Sequence, residues 1–102
     1  MQISTRGTSI TGITGTSYNS LDRIALDLSD NGTWTQTQST DVPAGQGFAS
    51  SLKMDCTTAD AAVAAGTYHL LRYKIEGRDC QLFKKGTSSA EYITIAFWIK
   101  SN

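Results

Sequence analysis

The sequence predicts an all-β protein, an antiparallel β-sandwich of jelly-roll-like layout, and three observations predict it. Several short segments alternate apolar and polar residues, the period of two that a half-buried strand requires. Loops rich in Gly, Asn, Asp and Ser separate them, as in all-β chains. Ser and Thr together make up roughly a quarter of the residues, and the branched Cβ of Thr suits a pleated, hydrated surface.

Taken in order, residues 1–20 are low in complexity, with TSITG echoed by ITGT. Two echoes are too few for a repeat architecture. Glycines and the lack of a large apolar face argue against a helix, so an extended arm is expected, lying on a partner or on the rest of the chain. Residues 21–102 form the sandwich domain. Within it, residues 23–29 (RIALDLS) place Ile24, Leu26 and Leu28 on one face and Ala25, Asp27 and Ser29 on the other. Asp30-Asn31-Gly32 follows, a strong short hairpin signal, and residues 34–39 (WTQTQS) read as the returning strand. DVPAGQG is a loop with the only proline. In residues 48–56, Phe48, Leu52, Met54 and Cys56 share one parity. The Ala-rich stretch 57–66 has room for a helical turn capped by Thr58 or Asp60. In residues 68–76 (YHLLRYKIE), His69, Leu71, Tyr73 and Ile75 face one way and Arg72, Lys74 and Glu76 the other. Gly77-Arg78-Asp79 turns the chain. Residues 92–101 (YITIAFWIKS) carry the clearest pattern, with Ile93, Ile95, Phe97 and Ile99 on the expected core face.

Composition bounds the function. A chain of 102 residues fits one domain. Nine basic and nine acidic residues cancel, so no global field attracts nucleic acid or an anionic membrane, and neither is expected as a partner. No apolar run approaches the roughly 18 residues needed to span a bilayer. The opening MQISTRGTSITG lacks the apolar core of a secretion signal, so synthesis in the cytosol is expected, or release by a route needing no such signal. Cys56 and Cys80 lack the spacing and His partners of a zinc site and are expected as reduced thiols.

Signatures of catalysis are sparse. His69 is the single histidine, sits on the apolar parity of its segment, and reads as a packed side chain. The acidic residues are scattered without a pair that stands out for glycoside hydrolysis. Asp27, Ser29, Asn31 and Gly32 match the first half of a calcium loop, but Gln38 stands where a bidentate Glu is expected and the flanks read as strands. No catalytic residue, metal ligand or cofactor is therefore expected. Trp34 and Trp98 are the candidate ligand-binding residues, because an indole face stacks on a sugar ring or packs on a partner. For each, core packing is the competing role.

The segments GQGFASSLKMDC and YHLLRYKIEGRDCQLFKKGTSSAEYITIAFWIKSN resemble a module of tail-fibre and other virion proteins of marine bacteriophages. The order of an apolar strand, KIEG, KKGTSSA and an FWIKS strand is also similar to jelly-roll carbohydrate-binding modules. The resemblance covers residues 21–102. It departs at Asp22-Arg23-Ile24, where such modules tend to carry an aromatic in place of Ile24. Related modules also continue beyond the last strand, so an incomplete sandwich is expected, with the missing strands supplied from elsewhere.

The resemblance implies a non-enzymatic virion structural protein, a tail-fibre or appendage module aiding host-surface attachment and assembled in the host cytoplasm. Its expected partners are other virion proteins or further copies of itself, with a host-surface glycan as the candidate ligand. The alternatives are a capsid decoration or cement protein and a free carbohydrate-binding module.

Overall fold

The computed structural model describes residues 6–16, 18 and 21–101. Its regular structure is β1 (Ser9–Ile13), β2 (Ile24–Ser29), β3 (Thr33–Ser39), β4 (Ser51–Thr58) and β5 (Tyr68–Tyr73), followed by a single 3-10 turn at Gln81–Phe83. The fold is all-β: five antiparallel strands form two sheets, ordered β1-β3-β4 and β2-β5. The sheets pack as a small sandwich. Five strands among the described residues fall short of the eight of a jelly roll.

Register explains the core. In the first sheet Trp34 opposes Cys56, Gln36 opposes Met54 and Gln38 opposes Leu52, with Ile10 across from Gln36 and Ile13 across from Trp34. Opposed residues share a face, so these side chains form one inner face. In the second sheet Leu26 opposes Leu71 and Leu28 opposes His69. Ile13, Leu26 and Leu28 are buried between the sheets, with Ile10, Trp34 and Met54 packed around them. Gln36, on the middle strand of its sheet, is the buried polar side chain of this interior.

The outer face of β2 differs from expectation. All of Ile24 to Leu28 are buried, so β2 is not a half-wet strand. The chain after β1 covers that face: Thr16 Oγ1 donates to Asp27, and Lys74 sits 4.8 Å over the Tyr18 ring. Asp27 is only 3% exposed and is also ion-paired to Arg72. A buried carboxylate needs such partners. Arg72, on the polar parity of its segment, thus serves a buried acid.

Within the stretch expected as an extended arm, Ser9–Ile13 forms β1, paired with β3; residues 1–5, 17, 19 and 20 lie outside the described ones. Several other expectations are corrected. Asp30-Asn31-Gly32 does not close a hairpin, because β2 pairs with β5 and β3 with β1 and β4. Instead it makes a corner that carries the chain from one sheet to the other. Asp30 and Gly32 take positive φ values of 46° and 73°, and Trp34 Nε1 donates to the Asn31 carbonyl at 2.6 Å. The Asn-Gly signal reports tight backbone curvature, and curvature serves a corner as well as a hairpin. The strand expected from Phe48 starts at Ser51, and the one expected to reach Glu76 stops at Tyr73. Stretch 59–66 holds bends and turns rather than a helix; Asp60 Oδ1 accepts from the Ala62 N–H, a local turn.

The largest correction concerns residues 92–101. The segment with the clearest alternation forms no strand, and its apolar side chains stand in solvent. Alternation specifies a strand only where an edge and a packed face are available. This segment pairs with neither sheet of its own chain.

Candidate interaction surface

Exposed apolar side chains concentrate in two places. On β5, Tyr68, Leu70, Leu71 and Tyr73 are each 43–61% exposed, although β2 beside it is buried. Leu71 points the same way as the fully buried Leu26 opposite it. β5 therefore forms the bare side of the sandwich. In residues 92–99, Tyr92, Ile95, Phe97, Trp98 and Ile99 are each more than 65% exposed. Exposed apolar side chains of this size and number are uncommon on a lone domain and suit contact with another surface.

Local bonds hold the second region in place. The Glu91 N–H donates to the Phe83 carbonyl at 2.9 Å, and Lys85 Nζ donates to the Glu91 carbonyl at 2.6 Å. At the far end Lys100 pairs with Asp41 at 2.6 Å, in the loop that follows β3. Below β5 the chain is fixed by Arg23, which bonds Glu76 at 2.8 Å and Asp79 at 3.0 Å. The side-chain hydrogen bond with Tyr73, then those acids, push the Arg23 guanidinium further above its usual range. These pairs are solvent-exposed, so they position the turn more than they stabilise it.

The two tryptophans have different settings. Trp34 is half-buried on the inner face, with its N–H bonded to Asn31 and its ring edge-on to His69 at 4.3 Å. Trp98 lies on the exposed 92–99 segment and is 67% exposed. The structure thus places them in separate surroundings, one against the core and one on the open surface. A shallow groove lined by Ile10 to Thr16 lies beside β1. Asp27, the first position of the calcium-like pattern, is engaged by Thr16 and Arg72. Among the described residues no three His, Cys, Asp or Glu side chains cluster to hold a metal ion. Both thiols are free, Cys56 exposed and Cys80 half-buried. Among the described residues no helix is long and apolar enough to cross a membrane.

Burial beside Trp34 lowers the His69 pKa below its ordinary 6.5. The folded state therefore favours neutral imidazole. Its stabilising contribution is complete above pH 6.5 and is lost as pH falls through 6.5 toward the lowered folded value, where the unfolded chain binds the extra proton. Urea melts across this range should show stability rising with pH, and His69→Gln should flatten that slope. An equal slope in both proteins would assign the pH dependence to another group.

Sequence reasoning missed β5 as an exposed surface. The available signal was YHLLRY, which is apolar on both parities rather than on one. No family model, curated protein or solved structure matches the chain.

Proposed function

We propose that the chain is a non-enzymatic structural module of a bacteriophage virion, part of a tail fibre or related appendage that aids attachment to the host surface. The observation that supports this reading most is the exposed apolar surface on β5 and residues 92–99. Such a surface suits permanent contact with another protein subunit, and subunit packing is what an appendage requires. The resemblance of the YHLLRYKIEGRDCQLFKKGTSSAEYITIAFWIKSN segment to phage virion modules points the same way. The exposed indole of Trp98 adds the capacity to stack on a sugar ring.

Antibody labelling of purified particles tests the location: appendage-tip or shaft labelling supports the reading, and labelling spread over the head moves the protein to capsid decoration. Attachment has its own test. Titrating the protein with host surface polysaccharide should change tryptophan fluorescence in the wild type and not in Trp98→Ala. Stacking contributes only about 0.5–1.5 kcal/mol beyond area burial, by analogy with aromatic pairs, so a monovalent response needs high ligand concentration and gains from multivalent display. An unchanged emission with every polysaccharide would remove glycan attachment and leave scaffolding.

A further inference from the structure

We infer that residues 92–99 of one copy add as a third strand to the free edge of β5 in a second copy, with the exchange reciprocal. This deepens the interaction-surface part of the proposed function by naming the first partner, and it does not depend on location in a virion.

The chain exposes 7667 Å². A folded monomer of 11.0 kDa is expected to expose about 5,600 Å². The radius of gyration, 16.2 Å, likewise exceeds the roughly 13 Å of a compact domain of about 100 residues. The surplus, on the order of 2,000 Å², is enough for a standard stable interface, which buries about 1,600 Å² over both partners.

The edges select the acceptor. The free edge of β4 carries Lys53 and Asp55, both more than half exposed, and charges on an edge oppose pairing. β5 instead presents Tyr68, Leu70, Leu71 and Tyr73, and its one charged side chain, Arg72, is paired with Asp27. A two-stranded sheet is marginal by itself, and a third strand is the common remedy.

The donor matches that edge on both faces. Ile93, Ile95, Phe97 and Ile99 on one parity suit the side of Leu71 and Tyr73. Tyr92, Ala96 and Trp98 on the other suit the side of Tyr68 and Leu70. Tyr68 and Leu70 are part-exposed on their side of β5, so pairing there leaves Trp98 an open ring face for stacking. Within one chain, the Phe83 and Asp41 anchors tie this segment to the turn after β5 and to the loop of the three-stranded sheet rather than along β5. A second copy supplies the same edge without breaking those anchors. Zero net charge places no long-range repulsion between copies. Two-fold exchange satisfies both donors and both edges and closes the assembly.

The test joins mass measurement with hydrogen exchange on the full chain. Light scattering should give twice the chain mass, and amides in 93–99 and on β5 should exchange roughly a hundredfold more slowly than in an unpaired segment. Ile95→Pro, which removes a ladder donor, should halve the mass. A monomer at every concentration overturns the inference, and so does a dimer whose 93–99 amides exchange freely. Both readings come from the wild-type protein, so they stand even where the proline variant does not fold. Particle labelling without a solution dimer would sink this inference alone; a solution dimer without particle labelling would sink the virion reading alone.

Discussion

Replacing Leu26 by Ala is expected to lower folding stability by about 3–5 kcal/mol, the upper part of the range for a buried leucine. Leu26 is fully buried at the centre of the small cluster formed with Ile13 and Leu28. Two features raise the loss. The side chain is held from both sheets, so the site collapses poorly once the methyl groups go. The buried core is thin, so few other contacts share the load. A domain of this size carries only about 5–15 kcal/mol in total, so the variant falls near the limit of folding. Equilibrium urea denaturation measures the difference, with Val63→Ala, at a 63% exposed position, as a control expected within about 0.5 kcal/mol of the wild type. A loss under about 1 kcal/mol at Leu26 would mean that the two sheets do not pack through this residue.

Gly32→Ala should be nearly as damaging, at about 2–4 kcal/mol, although it adds a single methyl group. Gly32 has a φ of 73°, where a Cβ is strained. The added carbon would also fall 2.3 Å from the Thr58 carbonyl oxygen and 3.2 Å from the Asp60 N–H nitrogen. Both are backbone atoms, so no rotamer relieves the overlap. The corner between the sheets, or the end of β4, has to shift. Gly45 also has a positive φ, of 73°, but nothing lies within 4 Å of its added carbon. Gly45→Ala therefore isolates the conformational part, expected at about 1–2 kcal/mol. Thermal melts of both variants separate strain from collision. Equal losses at the two sites would show that the approach to Thr58 is looser than the structure gives.

Much of the fold was legible because its strands follow the simplest rule. Segments 23–29 and 34–39 alternate and form strands there, and the strand expected over 68–76 forms over 68–73. What alternation could not give was pairing. Asn31-Gly32 signals curvature, and whether the curved chain returns beside β2 or crosses to the facing sheet depends on distant residues 68–73. Asp27 looked solvent-facing because its own segment carries no sign that Thr16 and Arg72 would enclose it. Residues 92–99 show the opposite failure: a strong local pattern without a partner in its own chain. Of the candidate ligand residues, Trp34 shares its surroundings with His69 and the core, while Trp98 stands in the open. The sequence places both indoles on strand-like segments; only packing distinguishes them.

The order of the strands also governs how the chain acquires its shape. Among the described strands only β3 and β4 are neighbours both in sequence and in the ladder. β2 must wait for β5, whose paired residues lie about forty to fifty positions further along, and such long-range closures belong to the slow, millisecond-to-second class of folding. The β3–β4 ribbon is thus the natural first platform, joined by β1. Until β5 arrives, β2 has no ladder partner, and its backbone N–H and C=O groups stay open to pairing with other unfinished chains. During synthesis this means that the most buried strand leaves the ribosome well before the strand that pairs with it. At high expression the chain competes with itself, and yield should depend on growth temperature more than the final stability would suggest.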